Sequence, residues 1–157
     1  SQIHEPSNDP LCGDYSPLTG SVVGMANTIQ VPESLTDLLA GPNTAVLTTV
    51  GADGLPQSTA VWYLVGDDGI LRTSITTDRQ KHRNLVRHPK ATLFILDPTN
   101  PYRTIEIRAD VELTPDPDKA MLPQFAEKYG VPVEVLQQAG GDRVVATFDP
   151  VKVNANG

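Results

Sequence analysis

The sequence predicts a mostly β domain: a small barrel of six to seven antiparallel strands with short flanking helices. Three observations carry this. Short β-branched runs are separated by tight turns, Gly51-Ala52-Asp53-Gly54 and Gly66-Asp67-Asp68-Gly69, which suit hairpins. From Tyr102 to Leu113 the pattern alternates, with Ile105, Ile107, Ala109, Val111 and Leu113 on one side and Thr104, Glu106, Arg108, Asp110 and Glu112 on the other. Many strands with few helices leave exposed edges, and closure into a barrel removes them. A Greek-key sandwich is the rival, but a helix between the third and fourth strands sits more easily at a barrel mouth.

Taken in order, residues 1–24 carry no Lys or Arg, three acids and three prolines. They read as a leader or an appended tail before Met25, which leaves 25–157 as one domain. Pro32 to Ala40 predicts a first helix, with Pro32 at its first position, Leu35, Leu38 and Leu39 as its apolar stripe, and Gly41-Pro42 as its stop. Thr44 to Val50, Gln57 to Val65 and Ile70 to Thr76 form a three-stranded meander. Thr77-Asp78 suits a helix N-cap, and the helix Arg79 to His88 ends before Pro89. Ala91 to Asp97 is an apolar strand, and Tyr102 to Leu113 is the alternating one. Pro117 to Tyr129 is helical, bent at Pro123, and Val133 to Ala139 is a short helix before Gly140-Gly141. Arg143 to Phe148 closes the sheet, continued by Val151 to Val153 after Pro150.

Composition narrows the function classes. The chain has 157 residues, 39% hydrophobic and 20% charged, enough for a core without staples. A net charge of -7 and few aromatics argue against nucleic-acid binding. No apolar run reaches membrane-spanning length. Cys12 is the single cysteine, which fits a reducing cytoplasm. His4, His82 and His88 are the only histidines, so no metal site is expected. There is no P-loop, no G-x-G-x-x-G after a strand, no H-E-x-x-H and no G-x-S-x-G. No catalytic residue is assigned, and any chemistry falls to a cofactor.

The strongest local signal is a basic island in this acidic chain. Six of the 12 Lys and Arg residues lie between Arg72 and Lys90. Clustered like charges repel unless an anion faces them or solvent separates them. A helix start carrying Arg79, Lys81 and Arg83 is a natural phosphate site, although a solvated helix face is the competing reading.

Several segments, in the right order, resemble the split β-barrel flavin-binding family, which includes the pyridoxamine-phosphate oxidases and the deazaflavin-dependent reductases. They are Ala52-Asp53-Gly54-Leu55-Pro56-Gln57-Ser58, Arg79-Gln80-Lys81-His82-Arg83-Asn84-Leu85, Pro89-Lys90-Ala91-Thr92-Leu93 and Tyr102-Arg103-Thr104-Ile105-Glu106-Ile107-Arg108-Ala109. The set looks closest to the group that uses coenzyme F420. The resemblance implies an antiparallel split barrel of the FMN-binding type. It implies that Arg79, Lys81 and Asn84 hold a cofactor phosphate, that Ser74 contacts the cofactor, and that Gln57, Ser58 and Thr59 lie beside its ring system. It further implies a homodimer with cofactor sites at the interface, which Arg108 or Trp62 would reach from the partner. Ala109 stands where the family often has glycine. The expected activity is an F420-dependent reductase moving hydride to an electron-poor small molecule such as an enone or quinone. FMN in place of F420, or a non-catalytic flavin, deazaflavin or haem-type binder, is the alternative. Trp62 is otherwise core or interface packing, and Tyr63 is either a proton donor or a buried strand residue.

Overall fold

The structure is a computed structural model that describes residues 26–157. The expectations for residues 1–24, Cys12, His4 and Met25 lie outside the described residues. A 3-10 turn, Glu33–Leu35, leads into α1 (Thr36–Ala40). There follow β1 (Ala45–Val50), β2 (Pro56–Val61), β3 (Leu64–Val65), β4 (Leu71–Thr76), α2 (Gln80–Arg87), β5 (Lys90–Asp97), β6 (Asn100–Pro115), α3 (Leu122–Tyr129), α4 (Val133–Gln137) and β7 (Arg143–Asn156).

The strands form one seven-stranded sheet in the order β2-β1-β5-β6-β7-β4-β3, and every pairing is antiparallel. The sequence of the chain forces this sheet to curl. Its two edge strands, β2 and β3, are consecutive and separated only by Trp62 and Tyr63. In a flat sheet seven strands would set the edges about 29 Å apart at about 4.8 Å per strand. The three Cα steps from Val61 to Leu64 reach only about 11 Å. The sheet therefore rolls until its edges nearly meet, and the chain closes it covalently where no ladder does. This is the expected split barrel.

Inward-facing residues alternate along each strand as the period of two requires. Leu47, Leu93, Ile95, Ile105, Ile107, Ala146 and Phe148 are fully buried inside. Ile105, Ile107, Ala109 and Val111 are buried as the alternation predicts, while Leu113 is half-buried toward the strand's end.

Some boundaries differ from expectation. The single strand predicted from Gln57 to Val65 is broken, because the chain leaves one edge at Val61 and joins the other at Leu64. Thr77 and Asp78 do not cap α2, which starts at Gln80 after Arg79. The Asp78 carboxylate instead takes the Thr76 hydroxyl, which holds its pKa below the ordinary value. Pro123 starts α3 rather than bending it, in the first turn where a missing N–H costs nothing. Asp116 covers the turn before α3, accepting from the N–H groups of Ala120 (2.9 Å) and Met121 (3.4 Å). Strand β7 runs unbroken through Pro150, which pairs with Ala109 beside a register shift that skips Val151, a bulge of the kind where a strand tolerates proline. No helix among the described residues is long and apolar enough to cross a membrane.

Candidate functional site

The split leaves a groove. Strand β2 pairs only with β1. Strand β4 pairs with β7 along its length, but with β3 only at Leu71 and Arg72. From Thr73 onward its other edge has no strand partner, and the two open edges flank a cavity of roughly 620 Å³. Gln57, Thr59 and Ala60 line it from β2, and Ser74, Ile75 and Thr76 from β4. Asp78, Arg79, Gln80 and Lys81 line it from the start of α2, and Ala139, Gly140 and Arg143 from the approach to β7.

Lys81 is half-buried, and its ammonium donates to Thr59 Oγ1 at 3.3 Å. Burial first, and then the charge of Arg79, lower its pKa. Arg79 Nε donates to Thr76 Oγ1 at 3.4 Å. Arg143 Nη1 donates to Ser74 Oγ at 3.1 Å, and its Nε is buried without a partner. Burial lowers the Arg143 pKa; Asp116 opposes that shift and Arg79 adds to it. Ion pairs among the described residues engage Arg72, Lys90, Arg103 and Arg108, and none engages Arg79, Lys81 or Arg143. Against one carboxylate, Asp78, the wall carries three cations, so the groove is electropositive in an acidic protein.

A second cavity of about 380 Å³ shares Ala60, Ser74, Lys81 and Arg143 with the first, so the two are halves of one groove. Its remaining wall is Thr44, Val61, Trp62, Leu122, Phe125 and Leu136. Helix α3 is pinned there by an aromatic stack of Trp62 on Tyr129, with centroids 4.2 Å apart. Tyr129 Oη donates to the Asn43 carbonyl at 2.8 Å and accepts from the Tyr63 N–H at 3.2 Å. Lys128 Nζ donates to the Tyr63 carbonyl at 2.8 Å and lies 3.9 Å over the Tyr63 ring. Burial pushes its pKa down to about 8.

Gln57, Thr59, Ser74, Arg79 and Lys81 thus face one groove. Ser58 points to the opposite side of β2, where its hydroxyl and that of Thr48 lie 2.8 Å apart in a hydrogen bond. Asn84 is 2% exposed and sits behind the wall. Its Nδ2 donates to Thr49 Oγ1 (3.0 Å) and Gln57 Oε1 (3.2 Å), and its Oδ1 accepts from Gln80 Nε2 (2.8 Å). It fastens α2 to β1 and β2. Arg83 folds back on Gln80 and the Asp78 carbonyl. Tyr63 does not reach the groove. It is fully buried, donates to the Leu39 carbonyl at 2.7 Å, and burial raises its pKa. Arg108 is exposed and paired with Glu106 at 3.1 Å. Arg143 escaped sequence reasoning; the only signal was a cation leading the apolar run Arg143-Val144-Val145-Ala146-Thr147-Phe148.

A family model described as pyridoxamine 5'-phosphate oxidase matches residues 31–157. No curated protein matches. Among solved structures, one described as an F420 reductase is 35% identical, with a TM-score of 0.68 over 79% of this chain and 98% of its own. A conserved hypothetical protein from Mycobacterium tuberculosis, Rv2991, is 23% identical with a TM-score of 0.67, over 84% of this chain and 88% of its own. HutZ, the heme storage protein of Vibrio cholerae, is 17% identical with a TM-score of 0.66, over 82% and 96%. The last two show the fold alone.

Proposed function

The chain belongs to the pyridoxamine 5'-phosphate oxidase family, and from that premise we propose that it is a reductase dependent on coenzyme F420. The observation that carries this reading is the pair Arg79 and Lys81, cationic, free of ion pairs among the described residues, and facing the polar half of a groove. Such a pair fits a phosphate, which accepts charge-assisted hydrogen bonds from both. Arg79 and Lys81 hold the phosphate of the deazaflavin. Asn84 acts one layer back, keeping α2 against β1 and β2 so that both cations stay aimed. The backbone of Gln57–Thr59, on the open edge of β2, borders the ring, with Thr59 and Ser74 as polar side-chain contacts. When bound, the reduced deazaflavin supplies a hydride for an electron-poor small molecule. The chain's share is to orient both molecules and exclude water.

The protein works in the cytoplasm as a homodimer. Support for the dimer comes from the outer face, where Val46 (39% exposed) pairs with Phe94, and Leu96 (43% exposed) lies on the same face of β5. Ala60, opposite Val46, lines the groove, so a second copy on this face would border the site. FMN is the second reading, because the Arg79–Lys81 pair serves its phosphate equally.

Titration of the purified protein with F420 and with FMN tests the proposal, followed by assay of the reduced deazaflavin with enones and quinones. Tighter binding of F420 together with turnover supports it. Failure to bind F420 refutes it, and tight binding without turnover leaves a carrier.

A further inference from the structure

We infer that the apolar half of the groove is a separate subsite for a planar, apolar molecule with a single carboxylate, which pairs with Arg143. As the place of the second molecule beside the cofactor, it rests on the reading above; as a binding site it stands on its own residues.

The wall supplies the first argument. Trp62, Leu122, Phe125 and Leu136 offer aromatic and branched surface in a cavity of about 380 Å³, at the small end for ligand pockets. Such a surface gains by removing a flat hydrocarbon from water. The second argument is the guanidinium at its border. Arg143 is shared by both halves of the groove. Its Nη1 donates to Ser74 Oγ at 3.1 Å, its Nε is closed off without an acceptor, and its Nη2 has no hydrogen bond or ion pair among the described residues. A half-buried guanidinium with donors unmet is costly and marks a missing partner.

The chain does not provide that partner. Asp116, the acid whose charge acts on Arg143, has its two oxygens engaged with the N–H groups of Ala120 and Met121. The planar fork of an arginine matches a carboxylate with two parallel hydrogen bonds, a geometry lysine cannot offer. Arg79, by contrast, lines only the polar half. Lys81 borders both halves, so the division rests on the two arginines: Arg79 serves the phosphate and Arg143 the carboxylate.

The test uses trans-cinnamate and its uncharged analogue cinnamyl alcohol as probes, without cofactor. Calorimetry reads affinity, and the indole N–H resonance of Trp62, the only tryptophan, locates the probe. Cinnamate is expected to bind and shift that resonance, with the alcohol weaker by about tenfold or more, as expected for a charge-assisted pair. Arg143→Gln should bind both probes as wild type binds the alcohol, whereas Arg79→Ala should keep the preference for cinnamate. Equal affinity of the two probes for wild type overturns the inference without any variant. A preference that survives in Arg143→Gln, or an unmoved indole resonance, overturns it too. Titrating the same sample with F420 and FMN separates the two claims: cofactor binding without cinnamate binding fails the subsite alone, and the reverse fails the cofactor reading alone.

Discussion

Arg103 and the cations of the groove are the same kind of charge put to opposite uses. Arg103 Nη1 donates to Asp97 at 2.6 Å, and its Nη2 donates to Asp37 and the Ser34 carbonyl at 2.8 Å each. It ties the helical start of the domain to the β5–β6 end of the barrel. Asp97 is occupied further, accepting from the N–H and hydroxyl of Thr99 at 2.8 Å. At the split, Arg79, Lys81 and Arg143 have hydroxyl partners and no ion pair. A cation saturated by carboxylates holds the fold together. Cations gathered without them raise the cost of the fold through mutual repulsion, and that cost is recovered when an anion binds. The lesson is to look for the unmatched charges rather than the most numerous ones.

This contrast can be broken at either end. The largest expected effect is on the groove side. Arg79→Ala combined with Lys81→Ala should weaken phosphorylated-cofactor binding by about 3 kcal/mol or more, since each charge-assisted contact is worth about 1.5–3 kcal/mol. The thermal midpoint should not fall, because no ion pair is lost. Calorimetric binding beside a melting curve checks both halves.

Next comes Asn84→Ala, which leaves the buried Thr49 hydroxyl without its donor. We expect a loss of about 1–3 kcal/mol in urea denaturation, with weaker cofactor binding as α2 loosens.

On the clamp side, Arg103→Gln should lower the thermal midpoint and leave cofactor affinity unchanged. The sign with pH follows from the carboxylates. The Asp37 pKa is held below its ordinary 3.8, chiefly by Arg103. That of Asp97 is lowered by Thr99 first and Arg103 next. A depressed carboxylate adds stability that is present above its unfolded pKa and lost as pH falls through the folded one. Wild type should therefore lose more stability than Arg103→Gln as pH falls below about 4, and melting curves from neutral to acid pH measure the convergence.

The smallest effect concerns Lys81. Its lowered pKa means that the ammonium form begins to fall away at lower pH than for an ordinary lysine. Cofactor affinity should decline as the solution becomes alkaline, and Lys81→Arg should delay that decline because arginine stays charged. Titrations across alkaline pH test the difference.

How far the sequence foretold this site depends on whether its parts are neighbours in the chain. Arg79 and Lys81 were legible because they sit together after a strand. Arg143 was not, because only the pairing of Thr76 with Arg143 across β4 and β7 brings it to them. Gln57, Ser58 and Thr59 read as one segment, yet the period of two sends Ser58 to the other face. The resemblance put Asn84 with Arg79 and Lys81 on the phosphate; its burial follows from α2 lying against β1 and β2, which no local pattern encodes. The barrel itself was visible in its turns and alternation. The place where the chain crosses from one edge to the other was not, because the crossing residues Trp62 and Tyr63 are themselves good strand formers.

The central claim is that position in the groove, and not positive charge on α2, holds the cofactor. One comparison tests it most directly: F420 and FMN affinities for wild type, Lys81→Ala and Arg87→Ala. Both variants remove one cation from α2, but Arg87 is exposed and does not line the groove. The account predicts a loss of about tenfold or more for Lys81→Ala and little change for Arg87→Ala. Equal losses, or none in Lys81→Ala, would contradict it.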